Sequence, residues 1–350
     1  MAFNLAPLPV PDSGGGVPVH SMTGSMWMPT QAPTPANLLG LHLQPIPVLP
    51  ALALLLGVLY LAAVWHLRRV GTPWPVQRTI WWMLGVGTLL LVTATGLDGY
   101  GMRLFSVHMV QHMTLSMLSP VLLALGAPMT LLLRVLPARQ GGGWSLRKGL
   151  LDLLHSRFVR FLTHPGMTTS LFLMSLYGLY FTPIFDYLMG SMWGHNLMLV
   201  HFLLIGMLYF WGIIGVDPSP RLASRGVRKL AAPVLAVMEI AITVPFHAFF
   251  GVIVMMSVTP IVGFYANPVP GWNIVPLADQ GVGGGIAWGF TELPTLLVLG
   301  AVVIRWQRTA VRRDRFADRK AAQNGDAERV AYNDYLASLA ARDVRGGSTP

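Results

Sequence analysis

The stretch Arg103–Arg134, RLFSVHMVQHMTLSMLSPVLLALGAPMTLLLR, decides the reading of this chain. It opens as an apolar helix with two histidines, His108 and His112, four residues apart. That spacing puts both on one helix face, with Cβ atoms about 5–6 Å apart. Met109, Met113 and Met117 repeat at the same interval, displaced by one position. No Asp, Glu, Lys or Arg occurs from Phe105 to Leu133, and crossing a bilayer takes about 20 apolar residues. Ionisable side chains inside a span are costly and mark functional positions. The stretch therefore predicts a transmembrane helix that carries chemistry.

Composition extends this to the whole chain. Of 350 residues, 53% are hydrophobic and only 11% charged, against about 25% charged in a soluble domain. The net charge of +10 does not make a nucleic-acid surface: the first basic residue is Arg68, and the rest sit in short loops and the C-terminal tail. That is the pattern of topology signals. The bilayer is the expected partner, and nucleic acid is not. With no cysteine, disulfides, thiolate metal sites and thiol nucleophiles are excluded. A transition metal would have to be held by His, Met, carboxylate or water.

Residues 1–45 are rich in Pro, Gly, Ser and Thr, lack basic residues and carry no secretory-signal pattern. They are expected to be a retained, disordered extracytoplasmic tail. His20, Met22, Met26 and Met28 lie close together there, and we read that cluster as incidental in a Met-rich chain. Seven apolar segments follow within residues 46–308, near Ile46–His66, Ile80–Leu97, Leu104–Leu133, Met167–Tyr187, Gly194–Val216, Leu230–Val258 and Gly283–Ile304. The fold class expected is all-α, a seven-helix transmembrane bundle. Pro120 and Pro128 predict a kink in the third span. Residues 309–350 read as a charged cytoplasmic extension. Of the 24 basic residues, Arg103 alone falls on one side; all others fall on the other. An odd span count then gives an N-terminus outside and a C-terminus in the cytoplasm, in a bacterial plasma membrane.

Topology assigns each polar group a depth. His108 and His112 fall in the outer half of span three. His195 lies at the mouth of span five and His201 two turns further in, about 120° around the helix, so those two cannot share one point. Glu239, Thr243 and His247 form an i, i+4, i+8 stripe on span six. Glu292 lies in span seven. Tyr180 and Asp186 close span four, and Asp279 and Gln280 are expected in the last outer loop. His66, His155 and His164 fall at inner ends or loops and read as solvated.

Imidazoles with nearby thioethers suit copper; imidazoles with carboxylate and water suit zinc or iron. A haem could take axial ligands from His112 and His247, or from His108 and His201. An intramembrane zinc hydrolase could hold its metal with His108, His112 and His247, with Asp186 or Glu292 as base, although no HExxH motif is present.

Four runs carry a resemblance: HMVQHMTLSMLSPVLLALGAP, SLYGLYFTPIFDYLMGSMWGHNLMLVHFLLIGMLYFWGIIGVDP, TVPFHAFFGV and DQGVGGGIAWGFTELP. In this order they resemble the CtaG family of seven-span cytochrome c oxidase assembly factors, from bacteria with caa-type oxidases. The similarity covers about Pro45 to Arg308. It implies a non-catalytic role in maturing the copper centres of the terminal oxidase. It also implies His108, His112, His195, His201 and His247, with Asp279, Gln280 and Glu292, as candidate functional positions; we expect the histidines and Glu292 to be the metal ligands, with Asp279 and Gln280 in support. Met109, Met113 and Asp186 are expected to support them. In GGGIAWG the chain departs from the family's Met-Trp pair, with Ala287 before Trp288. The leading expectation is transient copper binding near the outer face.

Overall fold

The structure, a computed structural model, describes residues 26–137, 145–218, 227–323 and 327–346. Among these, all regular structure is helical, apart from one isolated antiparallel bridge between Leu41 and Thr95. The helices are α1 (Pro35–Leu39), α2 (Val48–Arg69), α3 (Val76–Thr93), α4 (Gly96–Gly101), α5 (Phe105–Met113), α6 (Ser119–Leu125), α7 (Pro128–Val135) and α8 (Leu146–His155). They continue as α9 (Arg157–Leu162), α10 (Pro165–Tyr180), α11 (Ile184–Met189), α12 (Met192–Ile214), α13 (Val227–Met256), α14 (Pro276–Phe290), α15 (Glu292–Gln323) and α16 (Ala327–Gly346). The chain divides into two compact units, Met1–Val298 and Leu299–Pro350. The second holds the rest of α15 and all of α16.

The stretch from α5 to α6 is the hub of the first unit. It packs against α3, α4, α12 and α14; α2 covers α3, α10 covers α12, and α13 lies along α14. Between α5 and α6 the helix widens into a π turn, Thr114–Leu118. Pro120 has no N–H to offer the carbonyl of Ser116, so the regular ladder cannot continue there. Thr114 and Ser116 turn their hydroxyls back to the carbonyls of Val110 and His112, each at 2.8 Å. Gly206 of α12 lies against this widened turn so closely that a Cβ would stand 2.2 Å from the Ser116 carbonyl. After α6 the chain bends by 40° at Ala127 (φ 55°) and restarts at Pro128, which accounts for the expected kink.

By length and composition, four helical runs among the described residues can cross a membrane: Val48–Arg69, Met192–Ile214, Val234–Met256 and Pro276–Gln323. Counting the bent pair Phe105–Leu125 and Pro128–Val135 as one span makes five. The other two expected spans are present as helices. However, α3 carries Gln77 and Arg78 in its first turn, and α10 has only 16 residues. The chain is thus a multi-pass helical membrane protein.

Three boundaries differ from the sequence reading. Span four ends at Tyr180, because the Thr182–Pro183 step breaks it and α11 is separate. The last helical run begins at Pro276, which supplies a proline first turn; Asp279 and Gln280 are therefore helical, not loop residues. Residues 26–45 are ordered rather than disordered. Here Trp27 packs on Gly99, Tyr100 Oη donates to the Gln31 carbonyl (3.0 Å), and Trp272 Nε1 donates to that of Thr30 (3.1 Å). Of the His/Met cluster in the tail, His20 and Met22 lie outside the described residues.

Candidate functional site

His108 and His112 are buried, 0% and 2% exposed, on the face of α5 turned towards α10, α11 and α12. His108 Nε2 meets the Tyr180 hydroxyl at 2.8 Å. Its ring stands edge-on to Phe185, with centroids 5.0 Å apart. The His112 ring stands edge-on to Phe202 at 4.0 Å and to Tyr180 at 5.4 Å. An aromatic wall of Tyr180, Phe185 and Phe202 therefore encloses both imidazoles. Next to His112 in sequence, Met113 places its Sδ 3.3 Å from Nε2 of His247, which α13 delivers from across the bundle.

His247 also lines a cavity of about 10 Å³ with Met117, Phe172, Tyr209 and Thr243. That volume is about the size of one water. Tyr209 Oη donates to Thr243 Oγ1 (2.8 Å), so this wall is hydrogen-bonded. Glu239 shares the polar stripe of α13 and is buried. Glu292 opens α15, but its side chain lies outside the described residues.

His195 goes elsewhere. Its Nε2 lies 3.3 Å from Asp98 Oδ1, and Gln111 Nε2 donates to the same oxygen at 2.7 Å. Three helices, α4, α5 and α12, thus meet at one buried carboxylate. His201 faces Ser175 Oγ at 2.8 Å on α10, half-buried and apart from His195, as their angular separation requires. Asp186 accepts from the backbone N–H groups of Gly263 and Phe264 (3.2 and 2.9 Å). Asp279 accepts from Ser106 N (3.2 Å) and its hydroxyl. Gln280 accepts from Ile261 N at 2.7 Å and donates to the carbonyls of Val254 and Thr259. These three positions tie loops and helices together through hydrogen bonds to backbone and to Ser106. Met109 is fully buried, and among the described residues no histidine hydrogen-bonds its sulfur.

Outside the spans, burial holds the Tyr265 hydroxyl well above its usual range; the hydroxyl donates to the Gly101 carbonyl at 2.6 Å. Burial likewise pushes Asp217 up, against the pull of Thr130 and of the backbone N–H groups of Met129 and Thr130.

Four imidazoles, those of His108, His112, His195 and His247, each bury an Nδ1 with no hydrogen-bond partner among the described residues; Gln111 Oε1 is in the same state. Unpaired buried polar atoms are rare and call for a partner. Among the described residues no three His, Asp or Glu side chains are grouped to hold a metal ion. The set of His108 and His112 with His247 as third ligand is therefore not assembled. The arrangement offers one imidazole–thioether pair and neighbouring unpaired imidazole nitrogens, donors that suit a soft ion of low coordination number.

The family profile of the cytochrome c oxidase caa3 assembly factor, Caa3_CtaG, matches residues 58–309. The chain belongs to this family. The matched CtaG region contains every imidazole of the site as well as Asp98, Gln111 and Tyr180. Uncharacterized proteins of Mycobacterium bovis and Mycobacterium tuberculosis are each 44% identical to this CtaG chain over 295 residues. One of Mycobacterium leprae is 43% identical over 296 residues. In each case the alignment covers 83% of this chain and 43% of the relative, so the chain spans less than half the length of these relatives. No solved structure matches.

Asp98 and Gln111 escaped the sequence reading. Gln111 stands in the HMVQH run that opened it, one turn from His108. Asp98 is the first acid after Asp12, set between glycines in GLDGYG. A lone carboxylate where a span ends was the signal available.

Proposed function

We propose that this CtaG-family protein binds copper(I) transiently between its buried histidines and methionines and hands it to the terminal oxidase during copper-centre maturation. The approach of His247 Nε2 to Met113 Sδ, at 3.3 Å, carries the reading. It presents one nitrogen and one soft sulfur from two helices, with unpaired imidazole nitrogens nearby as next ligands. An open site of this kind favours exchange over retention, as a carrier requires. Copper is cargo here, and the protein acts as an assembly factor rather than a catalyst. In the same reading seven spans place the α4 end outside and the C-terminus in the cytoplasm of the plasma membrane, which the placement of the basic residues supports. Reporter fusions at Asn267 and Gly325 test that orientation: the first is expected outside and the second inside.

The test of function is the copper-to-haem ratio of the oxidase. His108→Ala, His112→Ala and His247→Ala are expected to keep normal membrane levels, because each helix still satisfies its own backbone. They should leave an oxidase with haem but deficient copper, partly rescued by added copper through mass action. His155→Ala and His164→Ala, at exposed positions, should behave as wild type. Normal ratios in all three buried variants would overturn the copper reading.

A further inference from the structure

One basic, apolar surface takes no part in the site. At the end of α10 away from Tyr180, α9 packs on α10 and α8 packs on α9. On α8, Leu146, Leu150, Leu153 and Leu154 recur at i, i+4, i+7 and i+8, a single helix face; Lys148, Asp152 and His155 take the opposite one. Only Leu154 is buried, whereas Leu146 and Leu153 are 64% and 57% exposed. In α9, Phe158 and Phe161 are 70% and 60% exposed.

Three cations, Arg147, Arg157 and Arg160, flank these side chains, and a fourth, Lys148, lies on the polar face of α8. Arg160 Nη2 donates to the His155 carbonyl at 3.0 Å, closing the end of α8. None of the four forms an ion pair among the described residues, and Asp152 is the one acid in the segment. The surface thus couples uncovered leucine and phenylalanine to uncompensated positive charge, and it runs directly into an apolar helix.

We propose that α8–α9 is a binding surface for anionic lipid headgroups. The leucines and phenylalanines enter the acyl boundary of the adjoining leaflet, and the cations hold the headgroup phosphates. A basic amphipathic helix with Phe and Leu on its apolar face has the chemistry of the membrane interface. A protein partner covering the same face would need carboxylates to match the cations, whereas α9 leads straight into α10, an apolar helix expected to cross the bilayer.

The chain has no cysteine, so single-cysteine variants need no background changes. Leu153→Cys, Phe158→Cys and Asp152→Cys would carry an environment-sensitive fluorophore in nanodiscs of phosphatidylcholine, with or without phosphatidylglycerol. The labels at 153 and 158 are expected to be quenched by headgroup-proximal nitroxide lipids, more strongly with phosphatidylglycerol, while the label at 152 stays in water. Native mass spectrometry should show phosphatidylglycerol enriched on the wild type. Arg147→Gln, Lys148→Gln, Arg157→Gln and Arg160→Gln, made singly so that folding is not at stake, should each lower that enrichment by up to about fivefold. Three outcomes overturn the proposal: equal quenching in both lipid mixtures, labels at 153 and 158 exposed to water in both, or enrichment unchanged in all four variants.

Discussion

His247 and Met113 meet across the bundle with Nε2 and Sδ 3.3 Å apart, although 134 positions separate them in sequence. Met109, one turn earlier on the same helix, is as deeply buried but has no such hydrogen bond among the described residues. The proposed copper site therefore assigns a ligand role to Met113 and a packing role to Met109. Met113→Leu conserves volume and should cost less than about 1.5 kcal/mol of stability. It is expected to lower copper(I) retention against a competing chelator, while Met109→Leu retains wild-type binding. Equal retention in both would remove the thioether from the site.

Asp98 and His195 form a buried pair, 4% and 1% exposed. Removing one partner leaves a buried polar atom of the other without that hydrogen bond, a loss on the order of 1–3 kcal/mol. Asp98→Ala and His195→Ala should each lower the melting temperature of the purified protein. The double variant should recover part of the loss. Purely additive losses would show that the two side chains are not coupled.

Asp217 follows the last turn of α12 and accepts from the N–H groups of Met129 (2.9 Å) and Thr130 (2.7 Å) at the start of α7. A negative charge there satisfies open N–H groups of a helix N-terminus. Because burial raises its pKa, the folded state holds the proton more tightly than the unfolded state. This contribution therefore favours folding in acid and fades as the pH rises from the unfolded value through the raised folded one. Asp217→Asn removes that dependence. The melting temperature of the variant relative to wild type should rise from about pH 4 to pH 7. A difference that is flat or falls with pH would contradict this assignment.

Gly206 admits the backbone of the π turn, where a Cβ would stand 2.2 Å from the Ser116 carbonyl. Backbone cannot yield as a flexible side chain does. Gly206→Ala should destabilise the bundle by about 1–3 kcal/mol, whereas Gly285→Ala, facing open space, should be near neutral. Thermal unfolding in detergent compares them, and an unchanged Gly206→Ala would place the α12 contact elsewhere.

Membrane character, the order of the apolar helices and the shared face of His108 and His112 were legible in sequence, because apolar run length, composition and helical period are local properties. The kink was legible too, since Pro120 and Pro128 act on their own helix. Which imidazole meets which partner was not. His108 and His112 share a face by spacing alone, yet Tyr180 sits against them because α10 ends there. His195 turns to Asp98, and His247 reaches Met113, because glycine contacts such as Gly206 on Ser116 and Gly251 on Gly284 set how closely and at what register the helices cross. Those registers join residues far apart in the chain, and no local pattern encodes a distance between two helices.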